Sequence, residues 1–405
     1  MANGRRPVLS VEEAQEHILS TVDVLATESV PLLDAAERVL AETVAADRHI
    51  PPVTNAAMDG FAVRGEDLVG DTVRLRVVGE VGAGHQAEVP VKPGEAVRIM
   101  TGAPVPEGAD TVVRFEETRM EGDEVVILSP PSRGKNVRQA GEDVREGQVV
   151  LAPGQVLRPQ EIGMLAALGH LEVAVIRRPC VAILGTGDEV VPPDQSPGPS
   201  QIRDANSYTV AAQVQRYGGV PLLLGVAHDQ EELVRQGIRD AIELQADFII
   251  TSGGVSVGDF DLVKQVMDAE GAMHFWSLNM KPGRPMAFGD IGGVPLLGLP
   301  GNPVAAMIST RLYARPALRK MQGYRDWSET IVRARLTEPI GRKDGRRHYL
   351  RVCLDETEGG YTATLTGDQG SGILNSLVEA DGLAVISEDA RYLPAGSEVD
   401  VLLLQ

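Results

Sequence analysis

The chain has 405 residues, 43% apolar and 23% charged, so it reads as a globular protein too long for one ordinary core, with two to four domains. Its net charge of −19 argues against nucleic acid as a partner, because no excess of Lys and Arg is present to replace counterions. No stretch approaches the roughly 20 apolar residues of a spanning helix, so no membrane partner is expected either.

The basic start, Gly4-Arg5-Arg6-Pro7, has no apolar run behind it and so does not read as a secretory signal. Ser10-x-x-Glu13 is a capping box that opens a helix to about Leu25, and Asp34-x-x-Glu37 repeats the device before Arg38-Val39-Leu40. From His49 the texture changes. Ile50-Pro51-Pro52 is a stiff extended loop that runs through Asn55-Ala56-Ala57-Met58-Asp59-Gly60 into the strand Phe61-Ala62-Val63. Asp59-Gly60 alone reads as turn chemistry. Alternating strands follow at Val73–Val78 and Thr111–Phe115, with Arg98-Ile99-Met100 running into a Thr101-Gly102 turn. Pro159 suits the first turn of a helix through Ile162, Leu165 and Leu168, closed by Gly169.

Beyond residue 177 strands and helices alternate. Val181–Leu184, Val220–Val226, Phe248–Ile250 and Val294–Leu297 each precede a helix, the pattern of a doubly wound, mostly parallel sheet. From Thr330 short alternating runs return, as in a small antiparallel barrel or sandwich. The fold expected is therefore multidomain α/β. A discontinuous helical domain spans 1–47 and 143–176, with a β-rich domain inserted at 48–142. The doubly wound domain covers 177–328, and a small C-terminal β-barrel covers 329–405. Cys180 and Cys353 lie far apart in apolar runs, read as buried reduced thiols, and point to the cytoplasm.

Ligands of doubly wound sheets bind beyond the carboxyl ends of the strands. After Phe248–Ile250 comes Thr251-Ser252-Gly253-Gly254-Val255-Ser256-Val257-Gly258, a glycine-rich turn leading into a helix. Backbone N–H groups in such a turn suit an anion, although a tight turn without ligand is equally compatible. Carboxylates follow three successive strands: Glu189 after Gly185-Thr186-Gly187-Asp188, Asp229 after His228, and Asp261 after Asp259-Phe260. Each alone reads as a helix cap, and Asp229 looks like one. Together they repel unless a cation joins them, and oxygen-only ligands suit Mg²⁺, so a metal-assisted site is favoured over three caps. Lys281-Pro282-Gly283-Arg284-Pro285 holds two cations in a stiff loop suited to oxyanions, and Leu299-Pro300-Gly301-Asn302-Pro303 offers a second turn at a helix start. No nucleophile elbow, zinc helix or Walker loop is present.

The segments Pro52–Val63, Arg98–Pro104, Gly141-Glu142-Asp143, Gly185–Glu189, Ser252–Gly258, Lys281–Pro285 and Leu299–Pro303 occur in the order seen in molybdopterin molybdenumtransferases. The chain resembles that family, which includes the gephyrin E domain, over nearly its whole length. The resemblance implies the last step of molybdenum cofactor synthesis. Adenylylated molybdopterin and molybdate are the substrates, the metal enters the dithiolene, and AMP leaves in a Mg²⁺-dependent reaction. It also implies a homodimer whose active site is shared between subunits, with the molybdopterin adenylyltransferase as a candidate partner.

On matching positions, Asp59, Thr101, Arg138 and Asp143 would come from one subunit. Glu189, Asp229, Asp261, Lys281, Arg284, Pro300 and Pro303 would come from the other. Catalytic roles fall to Asp59, Asp143, Glu189, Asp229, Asp261 and Lys281, and Mg²⁺ to Glu189, Asp229 and Asp261. Substrate binding falls to Thr101, Arg138, Ser252, Gly253, Gly254, Ser256, Gly258, Arg284, Pro300, Pro303 and Ser371. The chain departs from several relatives at Ser277, where they carry a lysine, and at Asp368 and Gly372, where many carry histidines. The competing readings are a molybdopterin adenylyltransferase and a scaffold of the gephyrin E type. Nothing in the sequence separates molybdate from tungstate.

Overall fold

A computed structural model of the chain describes residues 8–254, 262–341 and 344–404. Helix α1 (Val11–Thr21) begins as its capping box requires: Ser10 Oγ accepts from Glu13 N, and Glu13 Oε2 accepts from Ser10 N at 2.7 Å. The helix stops four residues before Leu25. The second capping box does not make a helix. Leu32–Ala35 is one 3-10 turn, Glu37 takes φ 60°, and the backbone beyond it bonds to distant segments, Ile176 N to Val39 O and Leu40 N to Gln155 O. A cap satisfies only the ends of a helix, and those long-range bonds claim the residues that would have formed its body.

The chain forms two compact units, one of Val30–Ala36 and Leu40–Val173, the other of Met1–Ser29, Glu37–Val39 and Ala174–Gln405. The smaller unit contains β1 (Gly60–Val63), β2 (Val73–Val81), β3 (Glu95–Ile99), β4 (Thr111–Arg114), β5 (Thr118–Glu121) and β6 (Glu124–Ile127), in sheet order β4-β1-β3-β2-β6-β5. Successive side chains leave opposite faces. Phe61 and Val63 join one apolar cluster with Leu75 and Ile127, while Ala62 joins another with Val97 and Val112. Gly60 opens β1 rather than closing a turn. A Cβ there would lie 1.9 Å from Val113 O, so glycine is what lets β1 approach β4. Helix α2 (Pro159–Ala167) has Pro159 in its first turn and ends before Gly169 at φ 80°, as its sequence predicts.

In the larger unit β7 (Cys180–Thr186), β8 (Val220–Ala227), β9 (Phe248–Ser252), β10 (Gly271–Ser277), β11 (Pro285–Ile291) and β12 (Val294–Leu299) form one sheet, order β8-β7-β9-β12-β11-β10. The first four are parallel, and β11 and β10 run antiparallel at one edge. Helices α3 (Asn206–Arg216) and α6 (Pro303–Ser309) cover one face, where Val210, Val214, Val304 and Ile308 meet Val181, Ile183 and Ile250. Helices α4 (Glu231–Glu243) and α5 (Leu262–Glu270) cover the other, with Val234, Ile238 and Val263 against Ala182, Leu184 and Ile249. After α6 the helix widens into a π stretch, Thr310–Ala314, before α7 (Arg315–Met321). Pro316 has no N–H to return to Leu312, which is a local reason for the change of register.

Strands β13 (Ile331–Leu336), β14 (Arg347–Thr357), β15 (Gly360–Leu365), β16 (Gly382–Ile386) and β17 (Glu398–Leu403) follow in the order β14-β15-β13-β17-β16, and β16 pairs back onto β14. The expected barrel is thus closed by five strands around Leu336, Leu350, Val352, Ala363, Ala384 and Val401. Cys180 and Cys353 are free thiols, half-buried rather than buried. Among the described residues no helix is long and apolar enough to cross a membrane.

Candidate active site

In the larger unit the parallel strands end together. β9 runs into Gly253 (φ 95°) and Gly254 (φ 63°), and a Cβ on Gly253 would meet Thr186 O and Oγ1 at 2.6 Å. This tight approach is what the glycine permits. The Gly253 N–H donates to Leu299 O at 3.0 Å, so it is occupied by the neighbouring strand. Asn206, at the start of α3, ties the strand ends together: its Nδ2 donates to Ser252 Oγ and to Gly301 O, both at 2.8 Å. Asp204, 8% exposed, holds the same helix start by accepting from Ser207 N at 3.0 Å. A cavity of about 80 Å³ lies here, lined by Thr186, Glu189, Asn206, Ser252, Gly301 and Pro303.

The carboxylates after β7 and β8 face solvent. Gly187 takes φ 134°, and the Glu189 carboxylate folds back to where a Cβ of Gly187 would stand. Asp229 does not cap α4. Gln230 holds the cap position without a side-chain bond, while Asp229 N donates to Asp188 Oδ1 at 3.1 Å and Asp188 N to Asp229 Oδ2 at 3.4 Å. Among the described residues no three His, Cys, Asp or Glu side chains group closely enough to hold a metal. Asp261, Ser256 and Gly258 lie outside the described residues.

A larger cavity, about 740 Å³, opens between the sheet and the barrel of the same unit. It gathers Lys281, Arg284, Pro300 and Ser371 from the sequence reading, with Arg346 and Asp368 beside them. Backbone pairing fixes this geometry. Met280–Lys281 pairs in parallel with Arg347–His348 of β14, and Gly283 (φ 98°) turns the chain so that Arg284 O accepts from Leu278 N. Ser371 O accepts from Val304 N at 3.1 Å, which docks the 368–371 loop on the start of α6. Arg351 sets the loop's shape. It is fully buried, and it donates to Asp368 O, Gln369 O, Gly370 O and Ser376 Oγ at 2.9–3.2 Å. Asp344 lies outside this cavity and bonds to two of its lining residues: burial tends to raise its carboxyl, but hydrogen bonds from His348 and Arg346 outweigh it and hold it well below the usual range.

The smaller unit carries Asp59, Thr101, Arg138 and Asp143, all exposed. Asp59 Oδ1 accepts from Thr101 N and from Thr101 Oγ1, both at 2.7 Å, and these two bonds lower its carboxyl below the usual range. Arg138 lies across a short ladder from Asn55, and Asp143 N donates to Ile50 O at 3.1 Å. What these two loops present is a fixed carboxylate and a cation on short, backbone-anchored segments.

Family models match three successive stretches: the MoeA N-terminal region (domain I and II) over 9–169, a probable molybdopterin binding domain over 182–320, and the MoeA C-terminal region (domain IV) over 333–404. The molybdopterin molybdenumtransferase of Nostoc sp. is 38% identical to this chain, over 98% of it and 94% of the relative. The chain belongs to the molybdopterin molybdenumtransferase family. Another molybdopterin molybdenumtransferase, from Haemophilus influenzae, is 35% identical over 97% of this chain and 98% of its own. A crystal structure of a molybdopterin biosynthesis MoeA protein from Pyrococcus horikoshii superposes with TM-score 0.82 at 33% identity, over 98% of this chain and 100% of that one.

Like these molybdopterin molybdenumtransferases, the chain is a transferase with a role in molybdenum cofactor biosynthesis. Sequence reading missed Asn206, Arg346 and Arg351. Asp204-x-x-Ser207 at a helix start was a usable signal for the first. For the two arginines there was none, because their roles depend on which loop the barrel strand meets.

Proposed function

We propose that the chain inserts molybdenum from molybdate into adenylylated molybdopterin, releasing AMP, with Mg²⁺ required. The observation that supports this most is the 740 Å³ cavity, which brings Lys281, Arg284 and Ser371 to one place on a protein of net charge −19. An anion enters such a chain only where local donors outweigh the overall field. Lys281 and Arg284 neutralise phosphate and molybdate oxygens, and Lys281 is placed to give a proton to a departing oxo group. Pro300, Pro303 and Ser252 line the turns beside them, and Gly254 offers the backbone N–H that Gly253 does not.

Glu189 and Asp229 supply oxygen donors of the hardness Mg²⁺ prefers. Asp261, the third carboxylate of this reading, lies outside the described residues, and Mg²⁺ is usually held by one or two carboxylates together with substrate phosphates. When bound, the ion would neutralise phosphate charge, while Glu189 and Asp229 hold it beside the β7 and β8 ends. Asp59, Thr101, Arg138 and Asp143 complete the site from the second subunit of a cytoplasmic homodimer, and the molybdopterin adenylyltransferase delivers the nucleotide.

The test is AMP release by the purified protein given adenylylated molybdopterin, Mg²⁺ and molybdate. Molybdate-dependent AMP release with active cofactor supports the reading, whereas nucleotide that binds and stays intact overturns it.

A further inference from the structure

Lys281, Arg284 and Arg346 all bring positive charge to the 740 Å³ cavity, but they are held differently. Lys281 and Arg284 make no side-chain hydrogen bond or ion pair among the described residues. Arg346 is anchored. It donates to one oxygen, Asp344 Oδ2, from Nε at 3.1 Å and from Nη2 at 2.6 Å. The other oxygen, Asp344 Oδ1, meets Nε2 of the buried His348 at 2.8 Å, and His348 sits on β14 paired with Lys281. The position of Arg346 is thus tied to the register of a strand.

A second cavity, about 540 Å³, shares Arg284 and Arg346 with the first and is lined by Asp344, which the first is not. Arg346 therefore stands where the two cavities adjoin, with its anchor on the side of the second. Its bonds to Asp344 use one edge of the guanidinium, the Nε hydrogen and one hydrogen of Nη2. The remaining hydrogens, on Nη1 and Nη2, have no partner among the described residues. One from each nitrogen makes a fork whose spacing matches two oxygens of a phosphate or a like anion. Asp344 has already ordered the side chain, so less freedom is lost when an anion takes that fork.

We infer that Arg346 is a further substrate-contacting residue, which takes two oxygens of a tetrahedral oxyanion through this fork, with Asp344 as its positioning residue. The oxyanion is a phosphate of the nucleotide or molybdate itself, and the inference rests on the proposed function, which supplies both. Lys281 and Arg284 bring charge that can follow the substrate. Arg346 brings a fixed direction, so it decides how the oxyanion is turned as well as whether it binds.

The experiment titrates the full chain by calorimetry with adenylylated molybdopterin and with molybdate, separately, and then measures kcat and KM for both in AMP release. Arg346→Gln, at a half-buried side chain, keeps the circular dichroism of the fold and weakens at least one ligand ~10-fold or more. The ligand that suffers more names the source of the oxyanion, and its KM rises by a similar factor while kcat falls less. Arg346→Lys recovers little, because a point charge has no fork. Asp344→Asn weakens the same ligand several-fold in the wild type and changes nothing in Arg346→Gln. A carboxylate that only repelled the anion would instead tighten binding in both backgrounds, and that result removes Asp344 from the inference. Unchanged affinity for both ligands in Arg346→Gln overturns it, as does full recovery in Arg346→Lys. A wild type that binds both ligands and releases no AMP overturns the proposed function alone, since the binding series still decides Arg346; one that binds neither overturns both.

Discussion

Asp59 illustrates how a single exposed carboxylate is held in its ionised form. Two donors from Thr101 reach one oxygen, and the pair favours the ionised form. In Thr101→Val the backbone donor survives and the hydroxyl is lost, so the Asp59 carboxyl moves part of the way back up; carbon-detected NMR titration reads this directly. Glu189→Gln should lower molybdate-dependent AMP release at least ~100-fold if that carboxylate acts in the transition state, and unchanged turnover would remove it from the site.

Asp344 gives a pH dependence with a definite sign. Its folded carboxyl holds a proton more weakly than the unfolded one, so the unfolded chain takes up more protons as acid is added. Its stabilisation is fully present above the ordinary value of about 4 and fades as pH falls toward the folded value. Urea midpoints measured below that pH should fall more steeply for the wild type than for Asp344→Asn.

At the scale of elements, turns and loops carry the site while strands only aim them. Gly253→Ala costs about 1–2 kcal/mol from its left-handed backbone alone, and the clash with Thr186 O adds to it. Chemical denaturation should show that loss, together with weaker nucleotide binding. Arg351→Met removes a guanidinium that organises three carbonyls; a loss of roughly 2–3 kcal/mol and faster proteolysis within 368–371 are expected.

The four parallel strands were legible because each is a short apolar run followed by a helical pattern. Strands β10 and β11 were not, since Gly271, His274, Gly289 and Asp290 interrupt any alternation and the edge position tolerates them. Lys281 and Arg284 stood out in the sequence because glycine and prolines surround them. Their meeting with Ser371 was set by the barrel's register on β14, which no local pattern encodes.

At the scale of the molecule, the barrel and the doubly wound sheet bury a continuous apolar cluster. Tyr349, Leu377, Leu383 and Leu402 from the C-terminal region pack with Leu312, Tyr313, Leu318 and Phe288 from the rest. A chain cut after residue 328 should therefore lose near-ultraviolet circular dichroism and bind hydrophobic dyes while keeping much of its secondary structure. The family models nonetheless end and restart between 320 and 333, as though two parts had been joined there. A lineage that exchanged its barrel for another would also have to exchange Tyr313 and its neighbours, so the two inherit as one block. Sequence modules on the two sides of that seam are bound to drift together.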